Sequence, residues 1–295
     1  MILFLLVNSM CDLCCSYCFY TIGHEKRDSS YIDSQKAEIF ANAINRIGFK
    51  SVILTGGDPL YSGLKEHSYA LIEELKKRGI RVLINTSGAK LDDVDYDRLV
   101  RLGVDRIDIS INSYDEAIHN SERGYYQDAV RLIDEMHKRG YRELATTTVI
   151  TPTNSSFAAP TLSWLLDKGV EDARFQPVFM AKELQDYSAI GCAMNACMKI
   201  VSKPHTEHYV RLCEEAFTDP NCRVDDCQMG KNYFVCNAKG DLYPCFHVDE
   251  RLCNILSDDL DFTRMQIRKS SESKRGACFG KHCVSLFDNP IFWKE

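Results

Sequence analysis

The stretch that decides the fold is Ile2-Leu-Phe-Leu-Leu-Val7, followed three residues later by Cys11-Asp-Leu-Cys14-Cys15-Ser-Tyr17-Cys18. A short, continuous apolar run is typical of a buried parallel strand, so the cysteines occupy the loop after that strand. Cys11, Cys15 and Cys18 have the spacing C-x3-C-x2-C. Three thiolates are one short of the four that saturate a cubane cluster or a structural zinc ion. The spacing therefore predicts a metal centre with one open coordination position.

Length and charge exclude several classes of protein. A chain of 295 residues can form one large or two modest domains. Its net charge of −6 argues against a nucleic-acid partner or an anionic membrane surface. The apolar run at the N-terminus is too short to cross a bilayer and lacks the basic region of a signal peptide. We therefore expect a cytoplasmic protein with no membrane partner, in a compartment where disulfides are rare.

The cysteines lie at the two ends of the sequence. There are 14, and none falls between Cys18 and Cys192. Inert core cysteines would be scattered, and a reducing compartment disfavours a disulfide framework. The distribution predicts two metal sites, one near each end, separated by a scaffold without cysteines.

That scaffold shows an alternation of strands and helices. Predicted strands cover residues 2–7, 51–55, 81–85, 106–111, 145–151 and 173–178. Apolar residues recur at helical spacing between them, as in Phe40, Ala43, Ile44 and Ile47 and again in Ala129, Leu132, Ile133 and Met136. Basic residues followed by Gly79, Gly103 and Gly140 predict helix ends. Six βα units predict an α/β fold, either an open doubly wound sheet or a partial barrel, with the site in the loops after the strands.

The alternation stops near residue 180. We predict a core over residues 1–180, a linker over 181–204, and a small cysteine-rich domain over 205–295 that begins with a helix at about 205–217. Within the last domain, Phe234-Val235 and Leu242-Tyr243 flank an Ala-Lys-Gly turn and predict a hairpin.

At this point the chain resembles a known family. The stretch from Cys11 to Tyr20 is similar to the cluster loop of radical S-adenosylmethionine (SAM) enzymes. The resemblance implies a partial (βα)6 TIM-like barrel, and a [4Fe–4S] cluster held by Cys11, Cys15 and Cys18 whose fourth iron binds SAM. Tyr17 matches the aromatic position near the adenine. Cys14 is extra. A phasing of two adjacent C-x2-C pairs would use it, but it leaves no loop between the pairs, so we expect Cys14 to be a small apolar filler beside the cluster.

Further segments match the family after later strands. Thr55-Gly56-Gly57-Asp58-Pro59 resembles the glycine-glycine-glutamate-proline segment that receives the SAM amino group, with Asp58 in place of Glu. The alternative interpretation is that the glycine pair belongs to an ordinary turn between a strand and a helix. Ser110 and Asn112 match positions on a family strand that supplies polar groups to SAM. Residues 85–88, after the third predicted strand, also resemble a family segment, but less closely. Residues 119–124 resemble a stretch of the peptide-modifying branch of the family. The alternative interpretation is that Arg123 is exposed to solvent at the start of a helix.

The C-terminal cysteines resemble the auxiliary-cluster module called SPASM, or Twitch in its shortened form. The resemblance implies a second [4Fe–4S] cluster of the Twitch type on Cys227, Cys245, Cys278 and Cys283. Cys222 is a rival ligand, and a structural zinc site is the alternative to the cluster. Cys213, Cys236 and Cys253 are expected to be packing thiols.

The resemblance implies an oxidoreductase that reductively cleaves SAM and abstracts a hydrogen atom from its substrate through a 5′-deoxyadenosyl radical. Modification of a ribosomally made peptide, by crosslinking or epimerisation, is the leading hypothesis. Because the cluster loop begins at Cys11, we expect no N-terminal leader-recognition domain, and oxidation of a cyclitol or sugar alcohol is the alternative. The electron donor would be of the flavodoxin or ferredoxin type. Candidate hydrogen-atom donors are Cys192, Cys197, Cys236 and Cys253. A non-catalytic electron carrier or a zinc-binding module is the alternative from another class.

Overall fold

The computed structural model describes residues 1–18, 20, 29–170, 172–177, 187–200, 211, 228–246 and 248–272. The chain divides into two compact units. The first unit comprises Met1–Asp12, Arg27–Ile107 and Gln228–Cys278, and the second comprises Leu13–Lys26, Asp108–Cys227 and Phe279–Glu295. The chain thus passes from one unit to the other inside the cysteine stretch.

The first unit is built on parallel strands. β1 (Ile2–Asn8) pairs with β2 (Ser51–Gly56), and β2 pairs with β3 (Arg81–Thr86), all in parallel. Their side chains are buried almost without interruption, as expected for strands covered on both faces. β4 (Arg106–Ser110) begins in this unit. The N–H of the residue before it, Asp105, donates to the Val82 carbonyl in β3.

Three helices follow these strands: α1 (Ala37–Ile47), α2 (Lys65–Lys77) and α3 (Asp93–Arg101). On α1 the predicted face is confirmed, with one change: Ala41 is fully buried and Ala43 only partly so. The predicted helix ends at Gly79 and Gly103 are confirmed by left-handed φ angles of 70° and 64°, which glycine adopts without a steric penalty.

The C-terminal part of the first unit contains the predicted hairpin. β7 (Tyr233–Cys236) runs parallel to β1, and β8 (Asp241–Tyr243) pairs antiparallel with both β7 and β9 (Cys253–Asn254). The turn requires Gly240, whose φ is 88° and whose added Cβ would lie 2.7 Å from Leu256 Cγ. The last helix described is α8 (Leu260–Glu272). Residues 228–272 are therefore continuous with the strands of the first unit, and the predicted domain boundaries stay a prediction.

The second unit contains the end of β4 and a parallel pair, β5 (Leu144–Ile150) with β6 (Asp172–Pro177). The Ile111 N–H, just past β4, donates to the Thr147 carbonyl. The helices described here are α4 (Glu116–Glu122), α5 (Tyr126–Lys138), α6 (Ala158–Asp167) and α7 (Tyr187–Met198). The apolar face predicted for α5 is confirmed, since all four of its residues are buried.

Helix α7 lies inside the segment that we expected to be a linker. Its buried apolar side chains follow helical spacing: Ile190, Ala193, Met194 and Cys197. That i, i+3, i+4, i+7 pattern was present in the sequence, but small and sulfur-containing residues weaken its contrast with the exposed face. Apart from Arg211, the helix predicted at about 205–217 lies outside the described residues. Within the described residues, no helix is long and apolar enough to cross a membrane.

Candidate functional site

The cluster loop, residues 9–18, follows β1 directly. Cys15 is buried, Cys11 and Cys18 are partly exposed, and the Cys18 N–H donates to the Cys15 carbonyl to close a tight turn. Burial raises the pKa of the Cys15 thiol, and the charge of Arg123 opposes that shift. Cys14 is exposed, so the expectation that it fills an apolar space is wrong. Burial alternates along this stretch: Leu13, Cys15 and Tyr17 are buried, whereas Cys14 and Ser16 are exposed.

Among the described residues, no three His, Cys, Asp or Glu side chains are arranged to hold a single metal ion. This finding does not conflict with a cubane cluster, in which each cysteine binds a different iron, so the thiolates need not converge on one point. The donor set itself fits such a cluster, because three thiols lie on one short loop. Hydrogen bonds hold the part of the loop up to Asp12 within the first unit, and other hydrogen bonds hold Tyr17 within the second.

The glycine pair after β2 packs directly on the start of the cluster loop. The Gly57 N–H donates to the Asn8 carbonyl and the Asp58 N–H to the Met10 carbonyl, both at 2.8 Å. An added Cβ would lie 2.2 Å from the Asn8 oxygen at Gly56 and 2.0 Å from the Met10 oxygen at Gly57. Both glycines are therefore required for backbone packing between the two loops, and this requirement is independent of any bound ligand.

Asp58 connects the loops that follow β2 and β3. Its Oδ1 accepts from the Leu60 N–H and the Thr86 hydroxyl, and its Oδ2 accepts from the N–H and hydroxyl of Ser87, at 2.6 to 2.8 Å. The residue is 5% exposed. Four donors occupy the four lone-pair positions of a carboxylate. The 85–88 segment, a weak match in the sequence, is thus the partner of Asp58.

Replacing Asp58 with asparagine tests this arrangement. The amide nitrogen would face two donors, so we expect the free energy of unfolding to fall by about 2 kcal/mol or more. Urea unfolding of the metal-free protein measures it. Asp261→Asn, at an exposed position on α8, is the control and should change the stability by less than about 0.5 kcal/mol. Equal stability of the two variants would contradict the prediction.

The sequence analysis missed Asp12, which anchors the first part of the cluster loop. Its carboxylate accepts from Lys90 Nζ at 2.6 Å and from both the N–H and the hydroxyl of Ser62. Burial alone would raise the pKa of Asp12, but these hydrogen bonds hold it below its usual value. Lys90 has a left-handed φ of 57°, which is rare for a residue with a side chain. The only signal in the sequence was the position of Asp12 between two cysteines.

In the second unit, Tyr17 is held by two donors. Asn112 Nδ2 donates to the Tyr17 hydroxyl oxygen at 2.7 Å and Arg123 Nη1 at 2.8 Å. Burial, partly offset by the charge of Arg123, raises the pKa of Tyr17. Arg123 follows α4 and is partly buried, so the alternative that it begins a solvated helix is wrong. Ser110 lies at the partly exposed end of β4.

His119 supports the same region in its neutral form. Its Nδ1 accepts from the Asn112 N–H at 3.2 Å, and its Nε2 lies 3.1 Å from the Gly124 carbonyl and is therefore assigned the proton. Burial first, and then the charge of Arg123, lowers the pKa of His119 to about 4.

This shift makes the stability depend on pH. An unfolded chain takes up a proton on His119 below pH 6.5, whereas the folded chain does so only near pH 4. The free energy of unfolding should therefore decrease as the pH falls from 6.5 to 4, by up to about 3 kcal/mol from this residue. Urea unfolding at several pH values in that range measures how steeply the free energy of unfolding changes with pH. In His119→Asn, which keeps an acceptor for the Asn112 N–H, the slope should decrease, and an unchanged slope would contradict the assignment.

The four candidate hydrogen-atom donors differ in access. Cys197, Cys236 and Cys253 are at most 2% exposed, which suits packing thiols, whereas Cys192 on α7 is exposed. Burial raises the pKa of Cys197 to about 12 and also raises those of Cys236 and Cys253. Cys245 is partly exposed, two residues after β8. Cys213, Cys222, Cys227, Cys278 and Cys283 lie outside the described residues.

The α/β core and the cysteine-bearing loop after its first strand define the class of protein, an enzyme that uses SAM in radical chemistry. The chain belongs to the radical SAM superfamily: a family model with that description matches residues 5–156. A protein of Sulfurisphaera tokodaii named "Probable GTP 3′,8-cyclase" is 26% identical over 187 residues, which are 61% of this chain and 58% of the relative. An "AdoMet-dependent heme synthase" of Nitratidesulfovibrio vulgaris is 27% identical over 154 residues, 51% of this chain and 41% of the relative. The chain therefore matches only about half the length of these relatives.

Solved structures confirm the predicted fold class. SuiB of Streptococcus suis bound to the precursor peptide SuiA has a TM-score of 0.71 at 14% identity, over 100% of this chain and 73% of SuiB. The protein anSMEcpe, with bound AdoMet and the Kp18Cys peptide, has a TM-score of 0.69 at 17% identity, over 92% and 83% of the two chains. BtrN in complex with AdoMet and 2-DOIA has a TM-score of 0.52 at 13% identity, over 92% and 85%.

Proposed function

We propose that this radical SAM enzyme modifies a ribosomally made peptide and holds its catalytic cluster on Cys11, Cys15 and Cys18. The observation that carries the peptide assignment is the shared fold with SuiB, which spans the whole chain and comes from a complex with a precursor peptide. A second peptide complex, that of anSMEcpe, matches over 92% of the chain. When bound, the cluster and SAM supply the electron and the radical that abstracts hydrogen.

Different residues around the cluster loop would contact different groups of SAM. Because four donors occupy the Asp58 carboxylate, we infer that the segment from Gly56 to Pro59 receives the SAM amino group through its backbone carbonyls. Ser110 is available at the end of β4 for a polar contact. Asn112 already donates to Tyr17 and Glu122 through Nδ2, so its contribution to SAM would act through Tyr17 or through Oδ1.

We also propose an auxiliary cluster of the Twitch type. Its support among the described residues is the β7–β8 hairpin, which places Cys245 just past a strand, in the G-x4-C spacing that begins at Gly240. The other three proposed ligands lie outside the described residues. Reconstituted protein with two cubane clusters should contain about eight irons per chain, whereas one cluster would give about four and would exclude the auxiliary one.

Oxidation of a cyclitol or sugar alcohol is the second candidate, and the complex of BtrN with AdoMet and 2-DOIA shares the fold over 92% of the chain. The two candidates differ in which compound increases SAM cleavage. Anaerobically reconstituted protein, reduced with dithionite or with a flavodoxin or ferredoxin, is given SAM and either a short peptide encoded beside its gene or an aminocyclitol. Formation of 5′-deoxyadenosine and the mass of the added compound are measured. Stimulation by the aminocyclitol alone would overturn the peptide assignment.

A further inference from the structure

We propose that Glu122 is a positioning residue for the cluster loop, acting on the two residues that precede Cys18. The inference rests on the proposed role of Cys15 and Cys18 as cluster ligands. Glu122 is the last residue of α4 and is 7% exposed. The resemblance over residues 119–124 includes Glu122 but assigned it no role.

The carboxylate of Glu122 is the centre of a buried polar network. Its Oε1 accepts a short hydrogen bond from the Thr151 hydroxyl, and its Oε2 accepts from Asn112 Nδ2 at 2.8 Å and from Asn154 Nδ2 at 2.9 Å. All three donors are at most 3% exposed. A carboxylate is costly to remove from water unless donors of this kind compensate, so Glu122 holds its partners in defined positions.

Two connections lead from Glu122 to the cluster loop. The Ser16 N–H donates to the Glu122 carbonyl at 3.2 Å. The side chain acts through Asn112, whose Nδ2 carries two hydrogens: one is donated to Glu122 and the other to the Tyr17 hydroxyl at 2.7 Å. Because the amide is planar, fixing one hydrogen fixes the direction of the other. Glu122 therefore determines where Asn112 holds Tyr17.

The turn after β5 holds the other two donors to Glu122, Thr151 and Asn154, in place. Asn154 Nδ2 also donates to the Val149 carbonyl at 2.8 Å, and the Asn154 Oδ1 accepts from the Thr151 N–H. The turn after β5 is thus closed on itself and presents two donors to Glu122. A rigid strand end, rather than a loop alone, supports the position of Tyr17, which is the arrangement expected of a precise site.

A double-mutant cycle on the full chain tests the proposal. SAM binding and the electron paramagnetic resonance (EPR) spectrum of the reduced cluster are measured for Glu122→Met, Tyr17→Phe and the double variant. Each single change should weaken SAM binding about tenfold. The double variant should bind SAM about as weakly as either single variant, because both changes break the same connection from Glu122 through Asn112 to Tyr17. The SAM-induced change in the EPR spectrum should diminish in parallel. Glu116→Gln, at the exposed start of the same helix, is the control and should bind SAM like the wild type.

Isosteric variants keep the test decisive if Glu122→Met does not fold. Asn112→Asp places two carboxylates side by side and should weaken SAM binding. Adding Glu122→Gln removes one of the two adjacent charges and restores a donor between the same two positions, but the new amide also faces the Asn154 donor, so the affinity should recover only in part. The proposal would be overturned if the effects of Glu122→Met and Tyr17→Phe on SAM affinity were additive. It would also be overturned if adding Glu122→Gln to Asn112→Asp restored none of the lost affinity. If the wild type itself neither binds SAM nor forms 5′-deoxyadenosine, the proposed function fails instead.

Discussion

Serine at Cys11, Cys15 and Cys18 together is expected to abolish SAM cleavage. The hydroxyl is a poor ligand for iron compared with a thiolate, and the three positions supply all the protein ligands of the proposed catalytic cluster. Reconstituted protein should lose about four irons per chain and form no 5′-deoxyadenosine above background. Iron analysis, the cluster absorption and product chromatography measure these changes.

The control for this variant lies in the same loop. Cys14→Ser alters an exposed thiol one residue before Cys15, so iron content and SAM cleavage should remain those of the wild type. Loss of four irons in Cys14→Ser would favour the adjacent C-x2-C pairs as ligands. Unchanged iron content in the triple variant would show that the ligand assignment is wrong.

Alanine at Gly57 is expected to lower the stability of the first unit strongly. Its Cβ would lie 2.0 Å from the Met10 carbonyl oxygen, so the backbone must move and the hydrogen bonds from Gly57 to Asn8 and from Asp58 to Met10 must lengthen. Overpacking and the weakened bonds together should lower the free energy of unfolding by about 3 kcal/mol. Cluster incorporation should fall as well, because Met10 precedes Cys11.

Gly79→Ala is the matched control. Gly79 has a φ of 70° with open space around its Cβ position, so only the left-handed conformation opposes the change. It should cost about 1 kcal/mol and leave cluster incorporation unaffected. Urea unfolding of the metal-free chains separates the packing effect from any effect of the cluster. A cost at Gly57 no larger than that at Gly79 would contradict the close contact between the loops.

The elements that the sequence predicted well have either a continuous apolar run, as in the parallel strands, or a clear helical period. β1 to β6 lie within one or two residues of their expected ranges, and α5 buries the face that its spacing indicated. The hairpin of β7 and β8 was found from its turn residues. Helix α7 was missed because alanine, cysteine and methionine on its buried face differ little from its exposed face.

The sequence by itself determined the class of this protein, because the spacing of Cys11, Cys15 and Cys18 after a buried strand requires only residues that are neighbours in the chain. The tertiary structure alone decided how the loop is held. The directly hydrogen-bonded pairs are 29 to 78 residues apart in the sequence: Asp12 with Lys90, Asp58 with Ser87, and Glu122 with Asn154. Such pairs leave no periodic trace, since a polar residue after a strand looks the same whether it faces solvent or a buried partner. Only the parallel strands, whose ends bring distant loops side by side, reveal which of these residues meet.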